Sequence, residues 1–136
     1  MKRRDILMKI EVTLESAISA ALGEIGIAAH LDGYDYLRWM IAYAVEHPCN
    51  KYMTEYYRNT GKAFGTTASR VERACRYAVE YAFTCGDYVL LGRYFKNTIG
   101  SNGTPTNGHF VFTVADSIRL SMERDGVLAR KECAAA

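Results

Sequence analysis

Apolar and polar positions recur along this chain with a helical period. The clearest case is residues 52–83, YMTEYYRNTGKAFGTTASRVERACRYAVEYAF. In its second half Val71, Ala74, Cys75, Ala78, Val79, Ala82 and Phe83 recur at steps of three and four, one continuous apolar stripe on a helix. Ser69, Arg70, Glu72, Arg73, Arg76, Tyr77 and Glu80 fall on the opposite face. Thr66 and Thr67 are both candidate N-caps, and Ser69-x-x-Glu72 also fits a capping box, so the start is open by a turn. In the first half Met53, Tyr56, Tyr57, Thr60, Ala63 and Phe64 form a shorter stripe, and Gly65 lets the chain turn sharply.

The rest of the chain follows the same period. Residues 5–24 read as a helix with Leu7, Ile10, Leu14, Ala17, Ile18, Ala21 and Ile25 on or near one seam, ended by Gly23 and Gly26. The seam is close to a heptad but short for a coiled coil, so its expected task is packing. Asp32 can cap a second helix whose stripe is Tyr34, Leu37, Ile41, Ala44 and Val45, closed by Pro48. Trp39 lies off the centre of that stripe. Residues 88–96, with Val89, Leu91, Tyr94 and Phe95, are enough for a short helix. GSNGTPTNG, residues 100–108, is the clearest loop, after which Thr106 or Asn107 can cap a last helix with the stripe Phe110, Val114, Ala115, Ile118 and Met122. Beyond Gly126 the tail LARKECAAA lacks a stripe and is expected to fray. No repeat or strand pattern stands out. The expectation is an all-α domain of about six helices spanning residues 1–136, with 124–136 as a tail.

Composition narrows the possibilities. Hydrophobic residues make up 49% of the 136 and charged residues 24%, ordinary for a globular domain with a real core. A net charge of +2 is too small to signal nucleic acid, so a DNA-binding face must come from local clustering. Cys49, Cys75, Cys85 and Cys133 form no C-x-x-C pair and have no histidine at ligand spacing. Free thiols in a reducing cytoplasm are therefore expected, with no metal and no cofactor, and Cys75 as a small buried hydrophobe. The basic tip MKRRD is followed by charges that interrupt any signal-peptide core, and no apolar run is long enough for a membrane span. Cys133-Ala134-Ala135-Ala136 and Asn102-Gly103-Thr104 match prenylation and glycosylation patterns by chance.

Catalytic patterns are missing. There is no phosphate-binding G-x-x-x-x-G-K-S/T, no G-x-S-x-G and no H-E-x-x-H. His30, His47 and His109 stand singly in or beside loops, and Glu72 and Glu80 lie two turns apart on an exposed face rather than converging as an acid/base pair. An enzyme is not expected.

Short helix, tight turn and longer helix with three arginines near its start is the layout of a helix-turn-helix, whose second helix enters the major groove N-terminus first. Arginine can bond guanine O6 and N7 together, and a glutamate, which phosphate repels, can accept from cytosine N4. A solvated charged face on an ordinary core helix would give the same spacing.

Three blocks separate these readings. FGTTASRVERACRYAVEYAF closely resembles the recognition segment of the C-terminal effector domain of the stage-zero sporulation master regulators, the phosphorelay response regulators of endospore-forming bacteria. EIGIAAHLDGYDYLR upstream and PTNGHFVFTVADSIRL downstream extend the likeness to roughly residues 18–123. The resemblance implies a cytoplasmic, nucleoid-associated bacterial transcription regulator that reads a TGTCGAA-type box in double-stranded DNA. Carried over by position, Arg70, Glu72 and Arg73 match base-contacting residues, and Ser69 and Arg76 match residues of the same helix. Tyr77 stands where the family has histidine. The family also offers a surface to the sigma subunit of RNA polymerase: Phe95 matches it and Ile99 is a conservative exchange, but Leu90 and Asn97 depart from it. Adjacent copies on tandem boxes imply self-association on DNA. The receiver domain that accepts phosphate in full-length regulators has no counterpart pattern before Tyr52. An excised effector domain and a free-standing homologue both fit; Met1 and a plausible first helix favour the latter, with DNA binding that does not require phosphorylation. The rival is a module that keeps the fold but sequesters a regulator or sigma factor without reading DNA, which has no need of the mixed-sign trio Arg70, Glu72 and Arg73.

Overall fold

The structure, a computed structural model, describes residues 2–86, 88–95, 103–130 and 133. Among the described residues six α-helices follow one another: α1 (Arg3–Ile25), α2 (Asp32–Glu46), α3 (Met53–Phe64), α4 (Ala68–Cys85), α5 (Tyr88–Tyr94) and α6 (Asn107–Arg124). The described residues contain no strand. The all-α, six-helix expectation holds, including the helix-turn-helix of α3 and α4.

The helix ends follow local chemistry. Gly26 (φ 95°) ends α1 in the left-handed region, its N–H donating to the carbonyl of Leu22, while Gly23 stays inside the helix. Leu31, not Asp32, occupies the N-cap of α2; Asp32 is the first helical residue and, with Asp35, places negative charge where the helix dipole favours it. Of the openings left at α4, Thr67 is the cap, its hydroxyl accepting from the N–H of Arg70 at 3.2 Å. Thr106 caps α6 in the same way by accepting from His109 N–H.

α2 is the central helix, packed against α1, α3, α4 and α6. Its inner face (Leu37, Met40, Ile41, Ala44 and Val45) is buried throughout. Where α2 meets α4 the two backbones nearly touch: a β-carbon on Gly33 would lie 2.3 Å from the Ala74 carbonyl oxygen. Only glycine permits that approach, which seats α4 against the start of α2. The expected stripe of α4 is buried at Val71, Cys75, Ala78, Val79, Ala82 and Phe83, with Ala74 half-buried at the crossing. Phe83, Phe95 and Phe110 then join α4, α5 and α6, with ring centroids 5.2 Å apart for Phe83–Phe95 and 5.6 Å for Phe95–Phe110.

Further expectations are corrected. Ala63 and Phe64 of the α3 stripe are exposed, because Gly61 follows Thr60 into the core and the last turn of α3 leaves it; Phe64 keeps an edge contact with Tyr36. Leu7 is 56% exposed, since α1 runs past the body of the domain and its stripe is half-covered at Ile10 and fully buried only from Leu14 onward. Four free thiols were expected, but Cys49 and Cys133 form a disulfide across 84 residues, with Cα atoms 5.3 Å apart. The tail also docks before that point. Gly126 (φ 74°) turns the chain, the N–H groups of Val127 and Leu128 donate to the carbonyl of Met122, and both side chains pack against the core. Cys75 is buried, and loss of solvent pushes its thiol up to about 12, whereas Cys85 is exposed. None of the described helices is long and apolar enough to cross a membrane, and no cluster of metal-ligating side chains occurs among the described residues.

Candidate nucleic-acid interface

The turn between α3 and α4 is built from two glycines. Gly65 (φ 68°) ends α3, and Thr66 N–H bonds back to the Gly61 carbonyl at 2.8 Å. A β-carbon on Gly61 would stand 2.7 Å from the Thr66 carbonyl oxygen, so the turn folds tightly onto α3. The start of α3 is pinned as well: Tyr52 N–H donates to Asn50 Oδ1, and the Tyr56 hydroxyl donates to the Asn50 carbonyl at 2.7 Å. Buried Thr60 donates to the Tyr56 carbonyl. With α3 held at both ends and α4 seated on α2, the first two turns of α4 present their polar face at a fixed angle.

That face divides into two strips. Ser69, Glu72, Arg73 and Arg76 line a shallow groove of about 420 Å³ with Thr54 and Tyr57 of α3. Arg70 and Tyr77 stand on the neighbouring strip, where Tyr77 stacks on Tyr81 with centroids 6.3 Å apart. Arg70 lies towards Tyr36 of α2; burial and then the charge of Asp32 raise the Tyr36 pKa, and the Arg70 charge opposes them. All six side chains reach solvent, with Glu72 half-covered. The six predicted residues thus share one side of α4 but not one groove.

Within the groove one pairing stands out. Arg76 Nη1 meets Glu72 Oε1 at 3.1 Å, one helical turn apart. An exposed pair of this kind adds only about 0.3–0.5 kcal/mol, so its effect is on direction rather than stability. It holds the glutamate that could accept from a base, and the glutamate-before-arginine spacing of four shows it in the sequence. Arg70 and Arg73 form no ion pair among the described residues.

α6 reaches the same region from 35 residues away. Asn107, 7% exposed, donates from Nδ2 to the backbone carbonyl of Glu72 at 3.1 Å, which fixes the start of α6 beside the middle of α4. Tyr57 shares a hydrogen bond with Asn107; burial raises the Tyr57 pKa and that bond opposes the rise. A second groove of about 490 Å³ runs between Arg76, Glu72 and Glu80 on one side and Thr104 to Gly108 on the other. Sequence reading missed Thr54 as a groove residue and Asn107 as a tether, since neither carries a periodic signal.

The residues implied for polymerase lie elsewhere. Phe95 is 1% exposed and packed between Phe83, Phe110 and His109, so a direct contact from its ring would require it to leave that cluster. Ile99 and Asn97 fall outside the described residues.

Both grooves are open surfaces beside a positively charged helix start. The family described as "Sporulation initiation factor Spo0A C terminal" matches residues 18–118. This is a family of DNA-binding effector domains of a sporulation regulator rather than of enzymes. The match spans α2, α3, α4 and α5 whole, most of α6 and the latter part of α1, and thus includes the helix-turn-helix with its exposed arginines. The chain belongs to the family of sporulation initiation factor Spo0A C-terminal domains.

Proposed function

We propose that this chain recognises a TGTCGAA-type box by laying the first two turns of α4 in the major groove. The observation that carries the reading is the arrangement of Arg70, Glu72 and Arg73. Arg70 and Arg73 are exposed and Glu72 half-covered in the first turns of a helix whose opposite face packs on the core. Arg73 has the reach to bond a guanine edge with both arms of its guanidinium, and Glu72, steadied by Arg76, to accept from a cytosine N4. Ser69, Arg76 and Tyr77 lie at the margins of the same face, where side chains meet phosphates and fix register. The mixed signs favour this reading over a sequestering module: a glutamate among arginines weakens general attraction to phosphate and is useful where a particular base is to be selected.

Occupation of tandem boxes by adjacent copies and a contact with the sigma subunit belong to the same proposal. Tyr94, whose hydroxyl donates to Glu24, and exposed Val89 mark the outer surface of α5, the region the polymerase contact would use. The setting is the bacterial cytoplasm beside the chromosome. A reducing compartment of that kind would open the exposed Cys49–Cys133 bond. The test is a titration of the chain on duplexes carrying the box and on scrambled duplexes, at two salt concentrations. Box-specific binding that outlasts the non-specific component as salt rises is expected; equal affinity for both duplexes would favour the sequestering module.

A further inference from the structure

α1 continues past the domain body, where Ile10 of its apolar stripe is half-covered by the core and Ile6 and Leu7 are exposed. The family match begins at residue 18, yet α1 starts at Arg3 and runs unbroken. At 3.6 residues per turn, Ile6, Leu7 and Ile10 fall on the same stripe as Leu14, Ile18, Ala21 and Ile25. From Leu14 onward the stripe is buried against the domain, whereas Ile6 is 44% and Leu7 56% exposed. Leu7, Ile10, Leu14, Ala17 and Ala21 alternate in steps of three and four, the spacing of a seam between two helices.

The charges beside the stripe select the occupant. Arg4, Glu11 and Glu15 all border the same edge, all are exposed, and none has an ion-pair partner among the described residues. When two identical helices pair antiparallel, like edges meet, so Arg4 of each copy comes against Glu11 and Glu15 of the other, twice by symmetry. Parallel pairing would instead set Lys2, Arg3 and Arg4 beside their own copies. We propose that the first three turns of α1 form a two-fold, antiparallel contact with α1 of a second copy of this chain. The contact is independent of DNA reading by α4. Three helical turns on each copy bury less than a standard interface, so the association is weak.

Sedimentation equilibrium of the chain from about 10 µM to about 1 mM tests this, with non-reducing gels to exclude cross-links through exposed Cys85. A monomer–dimer equilibrium is expected. Leu7→Asp and Arg4→Glu should each weaken it at least about tenfold while leaving the melting temperature unchanged, because both side chains are exposed. The combination Arg4→Glu, Glu11→Lys and Glu15→Lys should restore it. A monomer throughout, or a dimer indifferent to Leu7→Asp, overturns the proposal, and failure of the charge exchange to rescue overturns the antiparallel arrangement. Monomers that bind phosphatidylserine vesicles in a Leu7-dependent way would assign the face to a lipid surface instead.

Discussion

α1 and α4 carry the same kind of signal, a long apolar stripe at helical spacing, yet the fold treats them differently. The stripe of α4 is covered from Val71 to Phe83, by α2, α3 and α6 in turn. That of α1 is fully buried only from Leu14, with Ile10 half-covered and Leu7 exposed. Periodicity therefore identifies a helix and the face that prefers to leave water, but not what covers that face. The cover depends on where neighbouring helices pass, and those approaches are set by single residues such as Gly33, which brings α2 onto α4.

The largest expected effect breaks the covered stripe. Val71 is fully buried, so Val71→Asp places an unpaired carboxylate in the core at a cost of several kcal/mol, and thermal denaturation should show an unfolded or severely destabilised chain. A cooperative melt close to the parent's would mean that the faces of α4 are assigned wrongly. Reduction of the Cys49–Cys133 bond comes next. It closes a loop of 84 residues, so opening it should cost about 2–4 kcal/mol, seen as a lower melting temperature in dithiothreitol. Thiol titration of the native chain should find Cys85 before reduction and three reactive thiols after it. Cys75, whose burial holds its pKa near 12, should react only on unfolding. Because that folded pKa is raised, the contribution of the neutral thiol is complete at neutral pH. It falls once pH exceeds the ordinary thiol value of about 9 and is lost as pH approaches 12.

Gly33→Ala sharpens the comparison at the helix crossing. The added carbon meets the backbone of Ala74 rather than a movable side chain, so α2 and α4 must separate. A loss of about 1–3 kcal/mol in chemical denaturation is expected, reduced in part by the better helix propensity of alanine. An unchanged midpoint would show that the crossing is looser than described. The smallest effect belongs to the uncovered part of α1. Leu7→Asp should change stability by no more than about 0.5 kcal/mol, whereas Leu14→Asp, one heptad further on, should resemble Val71→Asp.

Much of this was legible in the sequence because it is local. The six helices, the cap at Thr67 or its neighbour, the turn at Gly65 and the inner face of α4 all follow from spacing and turn chemistry within a few residues. The split of the polar face into two strips was not, because it depends on where Thr54 and Tyr57 of α3 border α4. Asn107 read as a helix cap, but its amide bonds to Glu72, 35 residues earlier, and no local pattern marks such a partner. The same holds for Cys49 and Cys133, whose pairing depends on the tail docking through Val127 and Leu128. Phe95 matched a family surface position, yet its ring closes the aromatic cluster between α4 and α6.

The central claim is that α4 reads bases and does not merely attract phosphate. The most direct test is Arg73→Ala titrated on the intact box, a box with one altered G·C pair and a scrambled duplex, at the same two salt concentrations. Base reading predicts a loss of about 1–3 kcal/mol on the intact box, much less on the other two, and an almost unchanged salt slope. Equal losses on all three duplexes, with a shallower salt dependence, would make Arg73 a phosphate clamp and contradict the account.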